Sequence, residues 1–391
     1  MRVLIIGASI LQLPAIKKAK EMGMYVAVAD YDPKAIGIPY ADEYFNVSTI
    51  DEKGVYEAAK EFGAEGIMTL ATDMPMRSLA YACERLNLTG ISYEGSVKAT
   101  DKGEMIKAFE ECGVSHPWYK ILDSGNLEST LSDITYPCIT KPTDNSGSRG
   151  VMLVHNEEEL KEAISYSSEN GRSGSVIVEE YMQGPEVSVE IMVVNSYPHI
   201  LQVTDKLTTG APHFVEMGHS QPSRLPKEDV EAIKELAGKA ALAVGVKNGP
   251  AHAEIILTEN GPKMVEIGAR MGGDCITTHL VPLSTGIDMV KATINIACGL
   301  DADIEKKIDK CSAIRYFQVP CGVIESIEGV SDAEKIEGVK EISFVKNVGD
   351  KTGEIGSSTD RAGFVIAQAD TVEEAISICE KAIKKVNIEV E

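Results

Sequence analysis

The chain has 391 residues, 43% hydrophobic and 25% charged, with 60 acidic against 38 basic side chains and a formal charge of -22. Such a length exceeds one ordinary core and predicts two or three domains of a globular protein. The acidic excess repels nucleic acids and anionic membranes, so a phosphate-bearing ligand must be met by a local cationic pocket or a metal ion.

No apolar run approaches the ~18 residues that span a bilayer, and the first residues lack a signal-peptide cleavage region. The eight cysteines form no C-x-x-C pair and no metal-ligand spacing. Reduced thiols and a cytoplasmic location are the expectation.

The first hundred residues alternate apolar strands ("RVLIIGA", "YVAVADYD", "GIMTLA") with amphipathic helices ("PAIKKAKEMG", "KGVYEAAKEFG", "MRSLAYACERLN"). This rhythm predicts a parallel, doubly wound sheet. Residues 7 to 12, "GASILQ", lie where a dinucleotide-binding loop would. Ser9 and Gln12 stand where its second and third glycines belong, so a plain strand-to-helix turn is the favoured reading, with Asp30 ending a strand. A small substrate group could still meet the helix start near Ser9.

From Thr100 the pattern changes. "TDKGEMIKAFEECG" predicts a helix capped by Thr100 or Asp101 and stopped by Gly113. Short strands "PCITK", "GVMLV" and "SVIVEEY" with the helix "NEEELKEAISYSS" predict a small α+β subdomain over about 114–182. Between the first two strands, "KPTDNSGSRGV" is read as a hairpin. Lys141 closes its first strand, and Gly147 and Gly150 would let the backbone approach a ligand. An ordinary turn would use the same residues.

Longer strands follow. "NG" at 260 and 261 predicts a tight hairpin inside "AHAEIILTENGPKMVEIG", with Glu254 and Glu266 nearly opposite each other. Two such carboxylates would repel unless a cation lay between them, and Mg²⁺ on phosphate oxygens suits that place. Arg270 follows in the glycine-rich "GARMGGD", where it could neutralise charge developing in phosphoryl transfer. Residues 205 to 223 are read as a long polar loop whose His213, Glu216 and His219 are candidates for substrate contact or proton transfer. From about 302, strands "AIRYFQVP" and "RAGFVIAQA" and a final helix are expected.

The ordered set "TDKGEM", "TKPTDNSGSRGV", "VEEYMQGPE", Glu254, Glu266, Arg270 and "STGIDMV" resembles the ATP-grasp superfamily over about residues 1 to 391. It is most similar to the carboxylate-amine ligase, or L-amino acid ligase, branch, with an N-terminal domain like that of carbamoyl-phosphate synthetases. The resemblance implies a Rossmann-like domain over 1–100, an ATP-grasp domain over 101–301 with its lid at about 114–182, and a C-terminal α+β region over 302–391 that completes the module. It implies ATP and Mg²⁺, with Mn²⁺ as a substitute. Lys102 and Lys141 would contact phosphates, with the flap from Ser146 through Gly147 and Ser148 to Gly150 closing over them. Glu179, Glu180, Tyr181 and Met182 would face adenine, and Glu186 the ribose. Glu254 and Glu266 would hold the metal, while Arg270 and Lys141 serve catalysis. Ser9, Glu216, His219, Arg270, Gly272 and Gly273 are the substrate-side candidates.

One departure stands out. Related branches carry Asn in "E-x-N-x-R", and this chain has Gly268 there, which removes a third side-chain metal ligand. The implied activity is an ADP-forming ligase that turns a small carboxylate into an acyl phosphate and couples it to an amine, in a protein expected to be a homodimer. A bicarbonate-activating or purine-biosynthesis type of acyl-phosphate chemistry and a non-catalytic ATP sensor are the alternatives.

Overall fold

The computed structural model describes residues 1–122, 133–145, 147, 149–211 and 214–391. The first strands, β1 (Arg2–Ile6), β2 (Tyr25–Asp30), β3 (Glu43–Asn46) and β4 (Gly66–Met68), form a parallel sheet in the order β3-β2-β1-β4. The apolar runs of β1, β2 and β4 are buried on both faces, as a helix-covered parallel sheet requires, while the edge strand β3 is only half-buried. The helix Glu52–Phe62 begins where the Asp51 side chain accepts from the Gly54 amide and ends at Gly63, whose φ is 68°.

The next four strands, β5 (Tyr119–Leu122), β6 (Cys138–Pro142), β7 (Met152–Val154) and β8 (Val176–Glu180), form an antiparallel sheet ordered β5-β8-β6-β7. Cys138 pairs with Val154 and Thr140 with Met152, so the predicted hairpin around Lys141 is present. The helix Glu157–Glu169 closes a small core of Leu122, Cys138, Val154, Leu160 and Val178.

The largest sheet is built from β9 (Glu186–Val194), β10 (Tyr197–Thr208), β11 (Glu216–Gln221), β12 (Gly249–Thr258), β13 (Gly261–Gly268) and β14 (Cys311–Tyr316). The chain continues through β15 (Gly322–Glu328), β16 (Val339–Phe344), β17 (Lys351–Thr352), β18 (Gly363–Ala369) and β19 (Asn387–Val390). Eight of these strands run in the order β13-β12-β9-β10-β11-β14-β18-β16, and the other three form a small sheet, β17-β15-β19. Alternation along β9 and β12 sorts the large sheet into two faces. Val187, Val189, Ile191, Ala251, Ala253 and Ile255 belong to the main core, shared with the helix Lys227–Ala243. The opposite face carries Glu186, Ser188, Glu190, His252 and Glu254.

The expected long loop at 205–223 is mostly strand, since β10 extends to Thr208 and β11 begins at Glu216. Polar side chains hid this alternation, because they line a cavity wall rather than solvent. Among the described residues no helix is long and apolar enough to cross a membrane.

Gly184 links β8 to β9 with φ 145°, and a Cβ there would lie 1.9 Å from the Leu257 carbonyl oxygen. Gly184→Ala should cost about 2–4 kcal/mol in urea unfolding, because strain and overlap add. Gly113 has φ 66°, and a Cβ there would meet nothing within 4 Å, so Gly113→Ala should cost only about 1 kcal/mol. Equal costs at the two positions would contradict this packing.

Candidate functional site

Two cavities meet over the polar face of the large sheet. The first, about 190 Å³, lies between that face and the β5–β8 sheet, and Glu179, Glu180, Tyr181 and Met182 border it with the apolar Ile139, Val151, Ile256 and Val265. The second, about 480 Å³, extends toward the N-terminal and C-terminal parts of the chain. Lys206, Glu216, Glu254 and Glu266 line both.

Glu254 and Glu266 are direct cross-strand partners, with a register shift just beyond them. This is the expected juxtaposition, and the cations beside it are side chains. Lys206 Nζ lies 2.5 Å from Glu186, 3.0 Å from Glu254 and 3.5 Å from Glu216. Lys102 Nζ lies 2.9 Å from Glu266 and donates to the Asn145 carbonyl at 2.8 Å. The carboxylate repulsion that suggested a metal is thus met by ammonium groups.

Burial disfavours the Lys206 ammonium, but Glu254, Glu186 and Glu216 outweigh it and hold its pKa well above the usual lysine value. Burial likewise works against the Glu254 carboxylate, yet Lys206 and His252 hold its pKa well below the carboxylate range. For Glu186 burial prevails and the pKa rises despite Lys206. His252 Nδ1 sits 2.7 Å from the wholly buried Glu190. Burial would depress this imidazole, but Glu190 and Glu254 push it up to about 9.

Lys141 lies near the end of β6 and pairs with Glu179 at 2.5 Å, both side chains being buried. Glu180 instead pairs with Lys263 at 2.7 Å. Gly147 borders both cavities and has open space around it. Gly150 does not act as an approach point. A Cβ there would meet Pro142 and Asn170 at 2.8 Å, so its φ of 79° serves packing. Ser146, Ser148 and His213 lie outside the described residues.

The segment after β13 joins three parts of the chain. Arg270 forms a two-point ion pair with Asp73, at 2.9 and 3.0 Å. Asp274, with φ 50°, takes a two-point ion pair from Arg361, both bonds 2.7 Å, and lies 3.3 Å from His219 Nε2. Gly272 admits His252, since a Cβ there would lie 2.5 Å from its Nδ1, whereas Gly273 faces open space in the second cavity.

Ser9 is set apart from these residues. Its hydroxyl and amide both engage Gln12 Oε1, and it does not border either cavity. Gln12 also fills the space beside Gly7, while Asp30 accepts from the amides of Ala8 and Asp32. A strand-to-helix turn held by its own side chains is what stands there.

Sequence reasoning missed Lys206, His252, Glu190, Asp73, Asp274 and Arg361. Alternation in "EVSVEI" and "AHAEII" was the available signal for Glu190 and His252. The ion pairs of Asp73 with Arg270 and of Asp274 with Arg361 span 197 and 87 positions, and no local pattern announces them.

A donor set of two facing carboxylates suits a hard divalent cation that completes its shell with phosphate and water. Among the described residues no group of three or more His, Cys, Asp or Glu is arranged to hold a metal by itself.

Residues 134–278 match a family described as an ATP-grasp domain, and residues 315–391 match one described as L-amino acid ligase C-terminal domain 2. The chain is 26% identical over 427 aligned positions to phosphoribosylamine–glycine ligase of Methanocaldococcus jannaschii, covering 100% of this chain and 95% of that protein. It is 27% identical over 323 positions to alanine–anticapsin ligase of Bacillus subtilis strain 168, covering 76% of this chain and 67% of that protein. The crystal structure of L-amino acid ligase from Bacillus licheniformis superimposes with a TM-score of 0.87 at 22% identity, covering 100% of this chain and 98% of that one. The fold is that of the ATP-grasp ligases.

The Asp274–Arg361 pair yields a pH dependence. Burial opposes the Asp274 carboxylate, but Arg361 and His219 hold its pKa well below the usual value. A depressed folded pKa contributes stability above the unfolded value of about 3.9 that is lost as pH falls below it. Urea unfolding from pH 7 to pH 3 should therefore show a shallower acid loss for Asp274→Asn than for the parent. Arg361→Met should cost about 2–3 kcal/mol at neutral pH, by leaving that carboxylate unpaired. A parental acid slope in Asp274→Asn would rule the pair out as its source.

Proposed function

We propose that this chain, an ATP-grasp ligase, activates a small carboxylate, an amino acid or related acid, as an acyl phosphate and couples it to an amine. The observation that carries this reading is the meeting of two cavities at Glu254, Glu266 and Lys206. A nucleotide in one and a carboxylate in the other would face each other there.

Tyr181 and Met182 at the end of β8, with Ile139, Ile256 and Val265, offer a flat apolar slot to adenine, and Glu186 stands where a ribose would reach. Lys102, Lys141 and Lys206 direct ammonium groups at the phosphates. Glu254 and Glu266 would hold Mg²⁺, which supplies charge neutralisation on the phosphate oxygens.

A substrate carboxylate oxygen attacks the γ-phosphorus, the bond to the β-phosphate oxygen breaks, and ADP leaves. The amine nitrogen then attacks the acyl carbon, the carbon–oxygen bond to phosphate breaks, and the amine gives up a proton as phosphate departs. Arg270 offers its guanidinium to the oxyanions of both steps. Glu216 and His219, on the wall of the larger cavity, are placed for the amine. The three-part division at 1–100, 101–301 and 302–391, with a lid at about 114–182 carrying Lys141, belongs to the same reading, as does a homodimer. Lid closure would keep water from the acyl phosphate.

Purified protein with ATP, Mg²⁺ and a panel of amino acids and amines should release ADP and yield an amide visible by mass. Arg270→Met should lower kcat by about a thousandfold while ATP still binds, in line with loss of one transition-state cation. Glu266→Gln should weaken the dependence on Mg²⁺. Absence of ADP with every carboxylate tried would sink the ligase reading. ADP release that depends on bicarbonate, with no amide, would replace it with the carboxylating one.

A further inference from the structure

Arg270 is held from one edge. Nε donates to Asp73 Oδ1 at 2.9 Å, Nη2 donates to Asp73 Oδ2 at 3.0 Å, and Nη1 donates to the Met271 carbonyl at 3.3 Å. A guanidinium carries five N–H groups. Among the described residues three are used, which leaves one N–H on each terminal nitrogen for a carboxylate or phosphoryl group. Arg270 borders the 480 Å³ cavity and also a neighbouring one of about 330 Å³, and Asp73 borders the same two.

Asp73 comes from the N-terminal sheet, on the loop that leaves β4 at its carboxyl end, where ligands of open parallel sheets gather. Its backbone is fixed as well, because its carbonyl accepts from the Met76 amide at 3.1 Å, at the start of the helix Met76–Leu86. The residue two positions after Glu266 makes room for it. A Cβ on Gly268 would stand 2.7 Å from Asp73 Oδ1 and 3.1 Å from Arg270 Nε. The side-chain space at position 268 is therefore filled by a carboxylate from a distant part of the chain.

We propose that Asp73 is the positioning residue of Arg270, holding the side edge of the guanidinium so that its end edge faces the reacting oxyanion, and that glycine at 268 is the condition for this grip. The inference rests on the ligase reading for its kinetic consequence and on geometry alone for its packing consequence. Asp73→Asn keeps the shape and removes the charge that fixes the guanidinium. Displacing a catalytic group by about an ångström costs on the order of a hundredfold. Asp73→Asn should accordingly lower kcat for ADP release about 10- to 100-fold, with KM for ATP little changed. A purely structural role would instead lower the melting temperature without this split.

Gly268→Ala tests the same contact from the other side. It should lower kcat and the melting temperature in the parent, but add little in an Asp73→Ala background, where the overlapping carboxylate is gone. If Asp73→Asn keeps the parental kcat, or if Gly268→Ala costs as much without Asp73 as with it, the proposal is overturned. Should the parent release no ADP with any substrate, the ligase reading fails separately. The melting-temperature cycle then decides the contact, with unequal shifts in the two backgrounds supporting it and equal shifts overturning it.

Discussion

A buried lysine among three carboxylates is the constraint on which the centre of this protein depends. Glu186, Glu216 and Glu254 converge from three strands of the large sheet on the Lys206 ammonium. Without it, like charges in a partly buried wall would repel or take up protons. The same logic extends outward, with Lys102 on Glu266, Lys141 on Glu179 and His252 on Glu190. Each of these cations is already paired with a carboxylate. On the proposed function, a triphosphate would exchange partners with these pairs, its oxygens taking the ammonium groups and leaving Glu254 and Glu266 to a divalent ion. Such an exchange would let a chain of formal charge -22 accept an anionic substrate without a permanently basic patch.

The segment from Gly268 to Asp274 integrates the rest of the molecule. One side chain, Arg270, reaches the N-terminal sheet through Asp73, and another, Asp274, reaches the C-terminal region through Arg361. Between them, glycines at 268 and 272 admit Asp73 and His252 at distances no side chain would allow. Composition that reads as a flexible loop is close packing at the first and fifth positions of this segment, and open space at Gly273. The wall of the larger cavity is thus assembled from three distant stretches of sequence, held by two bidentate arginine–carboxylate pairs, the strongest geometry such pairs adopt.

Much of the scaffold could be read directly. Apolar runs, glycine stops and the cap at Asp101 marked helices and strands where the structure has them. The "NG" signal marked the hairpin but not its register: the pairing of Thr258 with Gly261 would by itself set Glu254 opposite Val265, and the register shift between Glu254 and Ile255 brings Glu266 there instead. Strand β11 was hidden because its residues "EMGHSQ" bear polar side chains that are nonetheless mostly buried. Polarity signals exposure only when the polar atoms meet water, and here they meet each other and a cavity. Gln221 bonds Thr204 and Ser284, and His219 lies against Asp274.

The cations of the site were the harder part for a related reason. Lys102 and Lys141 each close or open an element, so a boundary argument finds them. Lys206 sits within β10, facing inward, and its three partners lie 20, 10 and 48 positions away. Strand alternation assigns it a face but not a charge environment, which arises only when β9, β11 and β12 are laid alongside. The resemblance to ATP-grasp ligases supplied Lys102, Lys141, Glu254, Glu266 and Arg270 as expectations. What it did not supply, Asp73, Gly268 as a packing choice, and the Asp274–Arg361 pair, are the features through which this chain fits its own N-terminal and C-terminal regions to a common centre.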